Sequence, residues 1–145
     1  TNDPAKTARA DKVIREFDED DVPDDAQESI TKAVSIFGGD MGVSPGELMR
    51  GMRLVGAIES DYATKVQGDG GPARSYWQVE PATAKSILTD SVDLLGPKFK
   101  AEFGDPALLA NLTNPQLQEK LLNDQDFAAA MAAAKMVISI SKVSK

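Results

Sequence analysis

Apolar residues recur at helical spacing over most of the chain, and this pattern predicts a mostly helical fold. Residues 5 to 17 place Ala5, Ala8, Val13, Ile14 and Phe17 loosely on one side. Residues 25 to 37 place Ala26, Ile30, Ala33, Val34 and Phe37 at i, i+4, i+7, i+8 and i+11. Both stretches read as amphipathic helices. Gly38-Gly39 closes the second, and Ser44-Pro45 opens a third helix to about Glu59, with Glu47 completing a Ser-x-x-Glu capping box. From Ser60 to Arg74 the periodicity stops and Gly68, Gly70, Gly71 and Pro72 accumulate, which predicts a long loop. Residues 75 to 80 then suit a short extended segment, with Tyr76, Gln78 and Glu80 on one face and Ser75, Trp77 and Val79 on the other. Trp77 is expected on the packed side.

Pro81 can open a helix to about Thr89, and Asp105-Pro106 and Asn114-Pro115 each read as a cap followed by proline at the first helical position. Asp124 caps the last helix, expected to run to about Ser141, with Phe127, Met131, Ala134 and Ile138 as its stripe. The alanines at 128 to 130 and 132 to 134 permit close approach by neighbours, so this helix is expected at the centre of the packing. No internal repeat is visible. The 145 residues suit a single unit in which a helical, acidic segment, 1–40, packs on a core, 41–145.

Charge sharpens that division. Residues 1 to 40 hold 11 acids against 5 bases, whereas residues 41 to 145 are nearly balanced, and the chain's net charge is −7. The run Asp18-Glu19-Asp20-Asp21 with Asp24-Asp25 reads as a solvated linker. Without a basic patch, nucleic acid is not an expected partner. No apolar run approaches the ~20 residues that span a bilayer, so membrane insertion is not expected either.

Two residue types missing from the chain narrow its chemistry. There is no cysteine and no histidine. This excludes disulfides, thiolate metal sites, a Cys nucleophile, a Ser-His-Asp triad and His-ligated zinc. No cofactor or metal is expected, and catalysis falls chiefly to carboxylates, which work in pairs in glycoside hydrolysis.

One carboxylate stands out. Leu48, Met52, Val55 and Glu59 lie at i, i+4, i+7 and i+11, so Glu59 either continues an apolar stripe at a helix carboxyl end, where the macrodipole disfavours negative charge, or is a frayed, exposed last-turn glutamate. The first setting suits a carboxyl that must give up a proton. Glu80 and Gln78, if extended, look into the space of the loop carrying Asp69, while Glu80 reads equally as the cap of the helix that Pro81 opens. Asp61 reads as a turn-forming residue, and Lys65 and Arg74 as contacts for anionic groups or as solvated bases.

The stretch Ile58-Glu59-Ser60, followed by Gly71-Pro72-Ala73-Arg74-Ser75-Tyr76-Trp77-Gln78-Val79-Glu80-Pro81-Ala82-Thr83-Ala84, resembles the lytic transglycosylase and goose-type lysozyme superfamily. That family carries Glu-Ser at a helix end, then Gly-Leu-Met-Gln, then Pro-x-Thr-Ala, and its phage-encoded branch often has Gly-Pro-Ala-Arg just before. The likeness covers about residues 55 to 85. Ser75 stands where the family has Gly, Tyr76-Trp77 replace Leu-Met, and the chain lacks the family's later Tyr-Asn-x-Gly-like segment. The resemblance implies a lysozyme-like helical domain and a phage lysin that attacks the bond between N-acetylmuramic acid and N-acetylglucosamine of bacterial peptidoglycan. Glu59 would be the general acid, Asp69 and Glu80 the carboxylates positioning a water, and Gln78, Tyr76, Tyr62 and Ser75 the sugar-binding residues. Partners would be the wall itself and other virion proteins, and the place of action the virion or host periplasm. Two alternatives stand beside this one: a lysin cutting the peptide cross-links, and a non-catalytic structural or wall-binding module on the same fold.

Overall fold

The computed structural model describes residues 22–38, 42–60, 62, 63, 65, 71 and 73–143, with side chains to residue 140. Among these the protein is built from helices alone: α1 (Asp24–Phe37), α2 (Pro45–Ser60), α3 (Pro81–Asp90), α4 (Val92–Phe103), α5 (Pro106–Ala110), α6 (Asn114–Asn123) and α7 (Gln125–Val143). The expected helix over 5 to 17 and the run Asp18–Asp21 lie outside the described residues. Asp24 and Asp25 are not in a linker: they form the first turn of α1, where carboxylates complement the helix dipole.

The last helix is the axis of the packing. Phe127 through Ala134 are all buried, as is Val137, so α7 is covered on every side over two turns. Small alanine side chains let α1 and α2 approach it closely, while α6 packs on it from another side. Phe127 is ringed by aromatics, with Phe103 at 5.8 Å and Phe99 at 6.5 Å between centroids. Polar bonds tie α1 to α7 at the edge of this core: Ser29 donates to Asp126 at 2.7 Å, and Lys32 bridges Asp126 at 3.0 Å and Glu102 of α4 at 2.8 Å. Burial works against ionisation of Asp126, but the Ser29 hydroxyl and the Lys32 ammonium prevail and hold its carboxyl below its usual range.

Local capping signals operate largely as read. Ser44 Oγ accepts from Glu47 N at 3.1 Å, Asp105 caps α5 through Ala107 N, and Asp124 caps α7 through Phe127 N. At α6 the cap is displaced by one residue from its expected place. Thr113, not Asn114, is the N-cap, because Gln116 completes a reciprocal capping box with it and Pro115 is tolerated within the first turn. Helix α4 was not expected at all. Gly96 at φ 68° breaks its hydrogen-bond ladder and Pro97 restarts it, so two short helical pieces adjoin where a periodic pattern is too brief to read.

Candidate functional site

The backbone between α2 and α3 differs most from the sequence reading. Residues 75 to 80 are not an extended segment. Arg74 and Val79 form an isolated antiparallel bridge, exchanging bonds of 2.9 and 2.8 Å, and Ser75 to Gln78 make the tight turn between them. Ser75 at φ 74° and Gln78 at φ 51° both adopt the left-handed region, which is what allows the chain to reverse in four residues. The alternation of burial nevertheless survives, with Ser75, Trp77 and Val79 buried and Tyr76 and Gln78 half-buried.

Long-range bonds impose this turn. Trp77 is 3% exposed, and its indole N–H donates to Met52 O at 3.1 Å, which seats the turn on the middle of α2. Ser75 N donates to Lys65 O at 2.8 Å, and Ser75 Oγ accepts from Trp77 N at 3.2 Å. The Gln78 side-chain amide donates to Ser75 O at 2.7 Å, so this nitrogen closes the turn on itself. Arg74 plays a similar role on the other side, donating to Gly71 O and Ala73 O at 2.7 and 2.9 Å.

Glu59 lies half-buried in the last turn of α2. The buried positions of this helix are Leu48, Met52, Gly56, Ala57 and Ser60, so the covered stripe passes beside Glu59 and ends on Ser60. Val55 and Glu59 flank it, contrary to the expected stripe. The reason is Tyr62, whose ring folds back over Gly56 so closely that a Cβ there would overlap it. This rotates the covered face toward Gly56 and Ser60. The serine of Glu59-Ser60 has its own task in the reversal: Ser60 Oγ donates to Gly56 O at 3.1 Å and accepts from Tyr62 N at 3.2 Å.

The two tyrosines meet beside this helix. Their rings are 5.4 Å apart edge to face, and the Tyr62 hydroxyl donates to Arg53 O at 2.7 Å. Burial pushes the Tyr62 phenol well above the ordinary tyrosine range, with Arg53 pulling the other way. Tyr76 is also raised, by burial first and then by Asp25, to whose Oδ2 its hydroxyl donates at 3.3 Å. Lys65 Nζ stands 5.0 Å from the Tyr76 ring centroid and 3.8 Å from the same Asp25 oxygen.

The remaining predicted carboxylates divide. Glu80 is exposed at the N-cap of α3, and its side chain makes no capping bond. Asp69 and Asp61 lie outside the described residues. The structure therefore brings Tyr62, Ser75, Tyr76 and Gln78 together against α2, with Glu59 at the end of that helix and Glu80 just beyond the turn. Asp25 and Gly56 were not singled out from the sequence. Gly56 left a signal, since an interior helix glycine costs about 1 kcal/mol relative to alanine and implies a close neighbour. Asp25 left none, because its partners are 40 and 51 positions away.

A groove of about 730 Å³ lies elsewhere, lined by Ile36, Leu94, Leu95, Pro97, Lys98 and Ile138 among others, none of them a predicted site residue. Among the described residues no group of three or more carboxylates could hold a metal ion, and no helix is long and apolar enough to cross a membrane. No protein-family model, curated protein or solved structure matches the chain.

Proposed function

We propose that the protein is a peptidoglycan glycosidase on a lysozyme-like helical scaffold, a phage-type lysin that cleaves between N-acetylmuramic acid and N-acetylglucosamine with Glu59 as general acid. The observation that carries this reading is the joint between Trp77 and Met52, which seats the Ser75–Gln78 turn on the helix whose last turn holds Glu59. These are the two segments through which the sequence resembles the lytic transglycosylase and goose-type lysozyme superfamily. Ser75 adds support: it stands where that family has glycine, and its φ of 74° is a conformation glycine adopts freely.

In this reading Glu59 protonates the glycosidic oxygen as the bond to the muramic anomeric carbon breaks. The half-burial of Glu59 suits an acid that is shielded yet within reach of substrate. Tyr62 and Tyr76 offer aromatic edges and faces to the sugar, and Ser75 shapes the turn beneath it. A water positioned by Glu80 and Asp69 then attacks the anomeric carbon and passes its proton to one of these carboxylates. Hydrolysis is preferred over attack by the muramic C6 hydroxyl because Glu80 is exposed and contributes no side-chain bond to the amides of α3.

Clearing of purified cell walls by the wild-type chain and by Glu59→Gln tests the proposal. The substitution keeps the shape and removes the transferable proton, so activity falls by ~10²- to 10⁴-fold with unchanged circular dichroism. More than about a tenth of activity remaining would end the role of Glu59. Mass spectrometry of the products reads the route: reducing muramic ends for hydrolysis, anhydro-muropeptides for transglycosylation, and freed peptide stems for a peptidase. One observation favours the non-catalytic module, namely the Gln78 amide nitrogen committed to its own turn. That reading requires wall binding without any clearing by the wild type.

A further inference from the structure

The first turn of α1 reaches across to the two tyrosines, although it belongs to neither segment of the sequence motif. Asp25 Oδ2 accepts from the Tyr76 hydroxyl at 3.3 Å and lies 3.8 Å from Lys65 Nζ, while that ammonium sits over the Tyr76 ring at 5.0 Å. Tyr76 in turn meets Tyr62 edge to face at 5.4 Å and Trp77 at 6.0 Å. One carboxylate thus gathers three segments: the start of α1, the chain at Lys65 and the turn at Tyr76. Two independent bonds already fix the base of this arrangement, the backbone bond from Ser75 N to Lys65 O and the indole bond from Trp77 Nε1 to Met52 O. The exposed tip of Tyr76 is held by Asp25.

We propose that Asp25 is a positioning residue that fixes the Tyr76 ring against Tyr62 and so sets the aromatic wall on which a glycan ring rests, with Lys65 as the third member of the clasp. The substrate class rests on the glycosidase reading; the clasp does not. Asp25 touches no reacting atom. Its removal weakens substrate binding and leaves the chemical step intact, because Asp25 acts on the tip of Tyr76 and on Lys65, whereas the proton comes from Glu59 in the last turn of α2.

The groups facing the Tyr76 phenol identify its titration. Burial and Asp25 both raise its pKa, and the Lys65 ammonium stands over the ring. Tyr62 is raised further, through its deeper burial, and the chain has only these two tyrosines, so the phenolate absorbance that appears first as pH rises is that of Tyr76.

The experiment uses the full chain as wild type, Asp25→Ala, Asp25→Asn, Tyr76→Phe and the Asp25→Ala/Tyr76→Phe pair. Absorbance titration comes first. In Asp25→Ala one tyrosine ionises at lower pH than in the wild type, and this is the signal missing from Tyr76→Phe; an unchanged titration overturns the clasp whatever the enzyme does. Kinetics on soluble glycan strands come second. Asp25→Ala raises KM about two- to fivefold with kcat within twofold, Tyr76→Phe does the same, the pair adds nothing further, and Asp25→Asn, which still accepts the phenol, falls between. A KM unchanged in Asp25→Ala, or a kcat that falls with it, overturns the positioning role. A wild type that cleaves no glycan removes the glycosidase reading and with it the substrate assignment; the titration and the near-ultraviolet dichroism of Trp77 then decide the clasp alone.

Discussion

Gly56→Ala isolates the contact that turns the chain back over α2. In an unobstructed helix the change would stabilise the protein by about 1 kcal/mol, since glycine is the poorer helix former by that amount. Here the added methyl overlaps the Tyr62 ring, which must move. Moving it breaks the hydroxyl bond to Arg53 O at 2.7 Å, a loss of about 0.5–1.5 kcal/mol, and the edge-to-face contact with Tyr76 at 5.4 Å, a loss of about the same size. The displacement therefore costs about 1–3 kcal/mol against a gain of about 1, and Gly56→Ala is neutral to destabilising by about 2 kcal/mol. In a Tyr62→Ala background the obstruction is gone and the same substitution stabilises by about 1 kcal/mol. Urea unfolding of the four proteins, followed by circular dichroism at pH 7, closes the cycle with a coupling of about 1–3 kcal/mol. Stabilisation of about 1 kcal/mol in both backgrounds, with coupling under about 0.3, would refute the packing of Tyr62 on Gly56.

Two further outcomes follow from the bonds around α1 and the turn. Asp126 has a lower pKa folded than unfolded, so its contribution to stability is present above the ordinary carboxylate range, about pH 4, and is lost as pH falls through the folded value. Urea midpoints measured from pH 7 to pH 3 should fall less steeply for Asp126→Asn than for the wild type, and parallel curves would contradict the assignment. At Ser75, glycine relieves the left-handed backbone but loses the hydroxyl that accepts from Trp77 N, so Ser75→Gly stays within about 1 kcal/mol of the wild type. Ser75→Ala keeps the strain and loses the bond, and unfolds about 1 kcal/mol more easily than the glycine variant; equal or greater stability for alanine would count against a strained turn.

The helices and most of their ends were legible because the information is local. A capping residue and the amide it satisfies lie within three or four positions, as at Ser44 with Glu47 and Asp124 with Phe127. The run from Phe127 to Ala134 likewise announces a central helix, since small and apolar residues on every face leave no side for water. Trp77 as core was readable from period alone. The tertiary structure decided the rest. Neither Ser75 nor Gln78 prefers a positive φ, and the turn exists because Trp77 is anchored 25 positions away on Met52 and Ser75 on Lys65. The stripe of α2 ends on Ser60 instead of Glu59 because Tyr62 returns to cover a glycine. Asp25 meets Tyr76 only because α1 packs on α2, and a bond spanning 51 residues has no periodicity through which a sequence can announce it. Short-range physics set the helices, and long-range contacts aimed the side chains between them.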